Sequence, residues 1–365
     1  MTQTVLSLSE AITLQRGFDL PTSQRSAGKY PIITSNGMAT THDEFKVKGP
    51  GVVIGRSGSI GGGQYIENDF WPLNTTLWVK DFKGNNEKFI YYLLKSIDFS
   101  SFNAGAAVPT LNRNHLSMLK VIIPSRNQQD EIANILGTLD EKIEHNRQMN
   151  ETLEQMGQAL FRHYFIDNPE AEKWRQTTLN QICERVGSGG TPPTKRNDYY
   201  GGDVSWFSTK ELKDNFLFDS EKSITESGLV NSAAKLFPKN TVVMAIYAAP
   251  TVGRLGILTH ESTFNQAACG LVALPKFGYE FIYLYLLLSR DELNNMANGA
   301  AQQNISVGTV RGFHVPLVPE DILLDFHSSI RPIFEQIQNN YEQIQTLTTL
   351  RDTLLPRLIS GKVKV

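Results

Sequence analysis

The sequence is poor in cysteine, has no excess of positive charge and contains no long apolar run. Its two cysteines, Cys183 and Cys269, are far apart and form no Cys-x-x-Cys motif, so neither a disulfide framework nor a thiolate metal site is indicated. The longest uninterrupted apolar stretch is residues 281–288. It is much shorter than a membrane-spanning helix, which needs about 20 apolar residues. The first residues also lack the basic flank and apolar core of a secretion signal. We therefore expect a protein of the reducing cytoplasm that does not span a membrane.

The basic excess that is common in nucleic-acid binders is absent. Lysine and arginine total 35, aspartate and glutamate total 37, and the formal net charge is −2. A local basic surface on loops stays compatible with this balance, because several acidic residues fall in stretches predicted to be helical and could face protein partners. These acidic residues are Asp130, Glu131, Asp140, Glu141, Glu144, Glu151 and Glu154.

The chain contains an internal repeat. Its matches at a constant separation of 194 residues are Gly105-Ala106-Ala107 with Gly299-Ala300-Ala301, Val121 with Val315, Glu141 with Glu335, Ile143 with Ile337, Asn146 with Asn340, Leu153 with Leu347 and Leu160 with Leu354. Further upstream, Phe89-Ile90-Tyr91 matches Phe281-Ile282-Tyr283, and Asn74 is paired with Asn265. The sequence therefore predicts two halves, 1–168 and 169–365, and a pseudo-twofold protein suited to a bipartite ligand.

Each half is predicted to be an α+β module followed by one long helix. Short apolar runs predict strands at 51–54, 77–80, 242–246 and 271–274, and residues 89–95 and 281–288 are predicted to be buried helices. Glycine, proline, asparagine and serine between these runs predict long loops. We expect a first module over 1–125, a helix over 126–166, a second module over 167–318 and a second helix over 319–361.

The two long helices carry apolar residues at alternating steps of four and three over more than four heptads. This spacing is typical of helices that pack side by side, and we expect an antiparallel coiled coil. The residues predicted to pack between the helices are Leu139, Ile143, Asn146, Leu153, Ile333, Ile337, Asn340 and Leu347. The alternative is that each helix only covers the core of its own module.

Several motifs resemble those of one protein family. They are Val186-Gly187-Ser188-Gly189-Gly190-Thr191-Pro192, Tyr200-Gly201-Gly202-Asp203-Val204-Ser205-Trp206, Arg56-Ser57-Gly58-Ser59-Ile60-Gly61, Leu160-Phe161-Arg162-His163-Tyr164-Phe165 and Leu354-Leu355-Pro356-Arg357-Leu358-Ile359-Ser360-Gly361-Lys362. Together with the repeat, they resemble the specificity subunits of type I restriction-modification enzymes over essentially the whole chain. The first module is shorter and lacks the Gly-Thr-Pro opening, and its opening is expected at Gly28-Lys29-Tyr30-Pro31 instead.

The resemblance implies two pseudo-symmetric target-recognition domains, each reading one half of a split, asymmetric sequence in double-stranded DNA. It implies that the helix pair sets the unread spacer and binds two modification (methyltransferase) subunits, which restriction/translocase subunits join. It further implies no cofactor in this chain, with S-adenosylmethionine, ATP and Mg on the partner subunits. A helix of about 39 residues would span about 58 Å, more than one DNA turn of about 34 Å.

Candidate DNA contacts are loops in which glycine accompanies side chains that read base edges or bind phosphates. The candidates in the first module are Lys29, Thr34, Ser35, Asn36, Arg56, Ser57, Ser59, Thr110, Asn112 and Arg113. The candidates in the second module are Thr191, Lys195, Arg196, Ser208, Thr209, Lys210, Tyr247, Arg254, Gln302, Gln303 and Asn304. Asn36-Gly37 is as compatible with a plain turn. Trp206 and Phe207 are predicted to be core residues rather than base-stacking ones.

Sequence motifs of catalysis are missing. The only Asn-Pro pair, Asn168-Pro169, is followed by Glu170 and does not match the Asn/Asp-Pro-Pro-aromatic tetrad of adenine methyltransferases. No Gly-x4-Gly-Lys-Ser/Thr run is present, and the histidines show no metal-ligand spacing, so we assign no metal and expect no activity in this chain alone. Two alternatives stay open: a protein scaffold without DNA affinity, and a metal-dependent nuclease built on Glu44 and Lys46 with Asp19 upstream.

Overall fold

The chain forms two compact units that both combine sheets with helices. A computed structural model describes residues 4–99, 102, 110–247, 251–297 and 304–364. The first unit comprises Met1–Glu144 and Gln345–Val365, and the second comprises His145–Ile344. None of the helices in the described ranges is both long and apolar enough to cross a membrane. The predicted α+β class is confirmed.

The described residues of the first unit form nine strands and three short α-helices. The strands are β1 (Thr4–Ser7), β2 (Thr13–Arg16), β3 (Tyr30–Thr34), β4 (Gly37–His42), β5 (Gly51–Gly55), β6 (Gly61–Ile66), β7 (Trp71–Pro72), β8 (Thr76–Asp81) and β9 (Lys120–Ile123). The short helices are α1 (Leu8–Ala11), α2 (Glu87–Lys95) and α3 (Arg113–Ser117), and the long helix α4 covers Arg126–Phe161. A π-helical turn, Arg162–Ile166, follows α4.

The strands of the first unit form three sheets. The central sheet has the order β2-β8-β5-β6, a second sheet has the order β4-β3-β7, and β1 pairs with β9. All five residues of β5 are buried, as expected for a short continuous apolar run between two neighbouring strands. Helix α2 packs on this sheet through Phe89, Ile90 and Leu93, and the side chain of Asn86 caps its first turn by accepting from the Phe89 N–H at 2.8 Å.

In the second unit, the part of the chain that the structure describes forms ten strands and five short α-helices. The strands are β10 (Gln176–Thr178), β11 (Cys183–Ser188), β12 (Tyr200–Phe207), β13 (Asn215–Leu217), β14 (Lys222–Ile224), β15 (Val242–Ala245), β16 (Leu255–Leu258), β17 (Thr263–Phe264), β18 (Ala268–Ala273) and β19 (His314–Pro316). The short helices are α5 (Leu179–Ile182), α6 (Glu226–Val230), α7 (Gly278–Leu288), α8 (Arg290–Ala297) and α9 (Val307–Gly312), and the long helix α10 covers Glu320–Ile359.

The second unit repeats the topology of the first. Its central sheet has the order β11-β18-β15-β16-β13, which is the first unit's order with one added strand, β13. The β14-β12-β17 and β10-β19 sheets correspond to β4-β3-β7 and β1-β9, and the middle strand pairs in parallel with β7 or β17 in both copies. The four predicted strands and two predicted buried helices are all present, and the predicted duplication is confirmed.

Strand pairing shifts one predicted match between the copies by one residue. Gly55 pairs with Thr76, and Ala245 pairs with Ala268 at the same place in the second sheet. Counting back from these pairs, Asn74 corresponds to Gln266 and not to Asn265. The predicted pairing of Asn74 with Asn265 was wrong, because the separation of 192 residues that relates Phe89 to Phe281 also holds at Asn74, and the asparagine at 265 matches only by residue type.

In the first unit, the early part of α4 packs against the end of α10. Leu136 on α4 and Leu355 and Leu358 on α10 share one core. Arg351 donates to Asp140 at 2.7 Å, and the Tyr92 hydroxyl donates to the other Asp140 oxygen at 2.7 Å. Because the start of one helix meets the end of the other, the two segments run antiparallel.

In the second unit, the later part of α4 packs antiparallel against the first part of α10. Phe161 and Phe326 lie with ring centroids 5.8 Å apart, and the seam between the helices contains buried amides. Asn340 donates to Asn150 at 2.8 Å and accepts from Gln336 at 2.8 Å. Buried amides of this kind fix the register of paired helices, since any slip leaves them unpaired. The predicted antiparallel coiled coil is confirmed.

The residues predicted to pack between the helices differ in burial. Ile143, Asn146, Ile333, Ile337 and Asn340 are buried, while Leu139, Leu153 and Leu347 are half-buried. The Asn146 side chain donates to Gln343 at 3.1 Å and not to Asn340, because antiparallel packing places the two seam asparagines at different levels.

Replacing Asn340 tests the polar seam. Asn340→Leu leaves the amides of Asn150 and Gln336 without their buried partner, so we expect a loss of about 1–3 kcal/mol in the free energy of unfolding, measured by urea denaturation. Adding Asn150→Leu should recover much of that loss because both partners are then apolar. The exposed neighbour Asn339→Leu is the matched control, with an expected change within about 0.5 kcal/mol. An Asn340→Leu variant as stable as the unmodified chain would contradict this role.

Candidate nucleic-acid interface

Two predicted contact loops of the first unit meet at one end of its central sheet. The turn after β3 carries Thr34, Ser35 and Asn36, and the β5–β6 hairpin carries Arg56 and Ser59. The Ser59 hydroxyl donates to the Asn36 amide oxygen at 2.5 Å. Thr34 closes the turn by donating to the Gly37 carbonyl at 2.8 Å. The structure therefore brings together two loops that lie about 20 residues apart in sequence.

A third loop joins them through the main chain of Arg56. The Arg56 N–H donates to the Thr75 carbonyl at 2.8 Å, and the Arg56 carbonyl accepts from the Leu111 N–H at 2.8 Å. Ser57 and Thr110 form an isolated β-bridge beside this bond. The predicted residues at 34–36, 56–59 and 110 thus share one edge, which we call the first loop edge.

The side chains of the first loop edge are unequally available to a ligand. Arg56 is half-buried and donates to the Asn74 carbonyl at 3.4 Å, a long hydrogen bond that a stronger acceptor could replace. Asn112 caps α3, since its side chain accepts from the Asn114 N–H at 2.9 Å, and Arg113 is exposed at the start of that helix. Lys29 is not part of this edge: it precedes β3, at the opposite end of the strand from residues 34–36, and is exposed, with its ammonium 5.0 Å from the Tyr30 ring.

The second unit repeats the same main-chain connections. The Ile246 N–H donates to the Ala267 carbonyl at 2.8 Å, and the Ile246 carbonyl accepts from the Ile305 N–H at 2.9 Å. Ile246 and Tyr247 thus correspond to Arg56 and Ser57. Tyr247 is 38% exposed, Arg254 is half-buried at the far side of the same hairpin, and Asn304 is a half-buried residue shortly before α9.

The segment after β12 is the counterpart of the turn after β3. Phe207 pairs with Phe264 as Ile33 pairs with Pro72, so residues 208–210 correspond to residues 34–36. Ser208 donates through its N–H and its hydroxyl to Glu211 at 2.7 and 2.8 Å and caps a 3-10 turn. Thr209 is buried, whereas Lys210 is exposed. Of these three predicted contacts, Lys210 is the one that solvent reaches freely.

The counterpart residues 208–210, 246–247, 254 and 304 form what we call the second loop edge. The Thr191–Arg196 segment adds charge beside it. Thr191 donates to the side chain of Gln266, and Lys195 is exposed. Arg196 makes two hydrogen bonds to Asp198, at 2.9 and 2.7 Å, and this pairing lowers the pKa of the Asp198 carboxyl. Sequence reasoning missed Gln266, and the signal that could have found it is its position two residues before β18, equivalent to Asn74 before β8.

Two glycines with the same role begin the loops of the two units. A Cβ on Gly17 would lie 2.1 Å from the Leu73 carbonyl oxygen, and one on Gly189 would lie 2.0 Å from that of Phe264. Their N–H groups donate to the equivalent Thr76 and Ala268 carbonyls at 3.1 Å. The first module therefore opens at Gly17. The expectation that Gly28 replaces this opening was wrong, because the close backbone approach needs glycine but not the threonine and proline that follow Gly190.

Other predictions fall outside the interface or outside the described residues. Trp206 and Phe207 are buried, as predicted for core residues, and the Trp206 indole donates to the Gly190 carbonyl at 2.9 Å. Gln302, Gln303 and the repeated Gly-Ala-Ala segments lie outside the described residues. In the candidate nuclease set, Lys46 lies over the Trp71 ring at 4.7 Å, while Asp19 accepts from Arg16 at 3.5 Å and also from Asn74.

Three acidic side chains on the early part of α4 have partners inside the first unit. Asp130 accepts from Arg126 at 2.9 Å and from Asn86 at 2.7 Å, and Glu141 accepts from Lys88 at 2.8 Å. Of the acidic residues expected to face partners, these and Asp140 already have partners inside the first unit.

A family comparison accounts for both halves of the chain. A sequence model of the family described as "Type I restriction modification DNA specificity domain" matches residues 4–155 and again residues 171–349. The chain belongs to this family. It carries two such DNA specificity domains, and the predicted resemblance to type I specificity subunits is confirmed.

Relatives and a solved structure agree with the family assignment. The chain is 26% identical to the type I restriction enzyme MjaIX specificity subunit of Methanocaldococcus jannaschii, over 77% of this chain and 70% of that one. It is 23% identical to the HindI specificity subunit of Haemophilus influenzae, over 83% and 84%. The crystal structure of the type I restriction-modification system S subunit from M. genitalium matches 98% of this chain and 96% of that one, with a TM-score of 0.70 and 17% identity, and so shows the same fold.

Gly189 and Gly187 offer a matched test of how the second loop edge is held. Gly189→Ala should drive the chain away from β17, so we expect a loss of about 2 kcal/mol or more in the free energy of unfolding by denaturant titration. A Cβ on Gly187, two residues earlier in β11, would meet nothing within 4 Å, so Gly187→Ala should change stability little. Equal stability of the two variants would contradict the close approach at Gly189.

Proposed function

We propose that each loop edge reads one half of a bipartite, asymmetric target in double-stranded DNA. The observation that carries this proposal is that the two loop edges share the same main-chain hydrogen bonds but have different side chains at equivalent positions. Equivalent positions hold Arg56 and Ile246, Ser57 and Tyr247, Asn36 and Lys210, and Thr110 and Asn304. One backbone frame with unlike side chains is what two different half-sites require.

The side chains at these edges are of types that bind DNA. Arginine and asparagine can each make paired hydrogen bonds to a base edge in the major groove, to guanine and adenine respectively. Lysine contacts phosphates, and these contacts position a protein without reading sequence. Arg56 and Asn36 are therefore candidate base readers of the first half-site. Lys210, together with Lys195, is a candidate phosphate contact of the second.

We infer that the chain acts through partner subunits and does no chemistry itself. The helix pair is the proposed docking surface for two modification subunits, and its length sets the unread spacer between half-sites. S-adenosylmethionine belongs on the modification subunits, and ATP and Mg on restriction/translocase subunits where these are present. Such a complex would work in the cytoplasm of a prokaryotic cell, where the DNA lies. The family assignment and the repeated fold support this proposal over a scaffold without DNA affinity.

Two substitutions to alanine test the loop edges. With the chain assembled with modification subunits, Arg56→Ala should weaken binding of target DNA by about 5- to 150-fold if it makes a paired contact to a base, and should relax preference in one half-site only. Lys210→Ala should weaken binding to all sequences and make it less dependent on salt. Both effects are measured by fluorescence anisotropy over a series of salt concentrations.

The controls remove a positive charge from the opposite end of the central strands β5 and β15. Lys48 precedes β5 and Lys239 precedes β15, both are exposed, and each lies at the end of its strand away from the hairpin. Lys48→Ala and Lys239→Ala should leave affinity nearly unchanged. A protein carrying both Arg56→Ala and Lys210→Ala that bound its target with unchanged affinity would overturn the assignment of the loop edges.

A further inference from the structure

The second unit contains a cavity that the first unit fills with an arginine. The cavity measures about 220 Å³ and lies between α4, α7, α10 and the central sheet. Aromatic rings and two carboxylates, those of Glu154 and Asp214, make up much of its lining, and the rings belong to Phe216, Tyr283, Phe334 and Tyr341. Asp214 already forms an ion pair with Arg290 at 2.5 Å, so Glu154 is the carboxylate that concerns the cavity here. None of the residues that line the cavity is among those proposed to read DNA.

The repeat identifies the residues that occupy the corresponding space in the first unit. At the separation of 194 residues, Gly157 corresponds to Arg351 and Phe334 to Asp140. Arg351 contacts Asp140 at 2.7 Å, and a Cβ on Gly157 would lie 3.8 Å from the Phe334 ring, so the two pairs meet in the same way. The Arg351 side chain is only 14% exposed. The second unit thus has a glycine where the first unit inserts a guanidinium group.

A second substitution enlarges the same space. Strand pairing places Ile257 of the cavity wall where the first unit has Tyr65, whose ring lies 6.1 Å from that of Tyr91. Tyr91 in turn corresponds to Tyr283, which also lines the cavity. Loss of an arginine and of a phenol from one spot explains why the second unit has a cavity there.

The Glu154 carboxylate in the cavity wall has no cationic partner among the described residues. Glu154 is half-buried and accepts a hydrogen bond from the Tyr341 hydroxyl at 3.3 Å. Among the described residues, no lysine, arginine or histidine forms an ion pair with it. Burial raises the pKa of the Glu154 carboxyl, and the nearby Asp214 and Glu151 raise it further. A positive ligand would reverse this effect by stabilising the carboxylate.

We propose that this cavity binds a guanidinium or primary ammonium group on an alkyl chain. The carboxylate of Glu154 supplies the counter-charge, and the faces of Phe334, Tyr283 and Tyr341 attract a cation and cover its alkyl part. The group can come from an arginine or lysine side chain of a partner protein or from a small free amine. Both sources share this chemistry, and the experiments below separate them.

The first test supplies the missing side chain from the chain itself. Gly157→Arg should fill the cavity and raise the midpoint of thermal unfolding above that of Gly157→Met, which has similar length but no charge. Gly157→Ala measures the gain from replacing a helical glycine alone. Adding Glu154→Gln should abolish the advantage of arginine over methionine. Equal midpoints for the arginine and methionine variants, with or without Glu154→Gln, would count against a cation site.

The second test uses ligands, and its main comparison is made on the unmodified chain. Propylguanidinium at millimolar concentration should raise the unfolding midpoint of the full chain more than propylurea, a neutral molecule of similar shape. The difference should vanish in Glu154→Gln and in Gly157→Arg. Equal effects of the two compounds on the unmodified chain would overturn the proposal.

Repeating the ligand test in the complex with modification subunits identifies the source. If the guanidinium compound no longer has a selective effect, a partner's side chain occupies the cavity, and the site is a protein contact. If the selective effect persists, the cavity is open in the complex and takes a small free amine. Either result supports the cation site. DNA binding does not enter the readout, so this proposal can fail while the reading of DNA by the loop edges stands.

Discussion

The arrangement of both loop edges depends on one set of main-chain hydrogen bonds. At the end of the central strand, Arg56 in one copy and Ile246 in the other bond on one side to the residue before β8 or β18. On the other side, the carbonyl of Arg56 accepts from the Leu111 N–H, and that of Ile246 accepts from the Ile305 N–H. Since these bonds use only backbone atoms, they hold the loops in place whatever side chains the loops carry. Side chains at the edge are therefore free to differ between the copies, as they do at Arg56 and Ile246.

The core and the helix seam follow different rules from the loops. The central strands β5 and β15 are buried throughout, and large apolar residues such as Phe161 and Phe326 fill the junction between the helices and the second module. Within this apolar seam, the Asn340 side chain donates a hydrogen bond to the Asn150 side chain. Apolar packing provides most of the stability of such a pair, and the amides select one register. A protein that measures a fixed spacer needs that register to be unique.

Much of this fold could be predicted from the sequence because it rests on local patterns. The continuous apolar runs at β5, β15 and α7 and the heptad spacing of the long helices are properties of neighbouring residues. Predictions that depended on matching the copies through loops were less accurate. The opening glycine of the first module is Gly17 and not Gly28, and Asn74 corresponds to Gln266, because a single shared residue type does not fix the separation between the copies where few neighbouring residues match.

The candidate site was predicted as a set better than residue by residue. The loops at 34–36 and 56–59 do converge, but Thr209 is buried and Ser208 and Asn112 cap helical turns. Composition cannot separate a hydroxyl that caps a helix from one that faces a ligand, since both functions favour serine, threonine and asparagine in loops. The cavity beside Gly157 could not be predicted from the sequence either, because its shape depends on how the side chains of three helices pack together.

The most direct test of the account is a map of adenine methylation produced by this chain assembled with its modification subunit. The account predicts one split motif with two different halves and a fixed unread spacer, because one chain carries two unlike loop edges and long helices that pair in one register. A contiguous or palindromic motif would contradict the claim that the two edges read different half-sites. An assembled complex that neither binds nor methylates DNA would contradict the account as a whole.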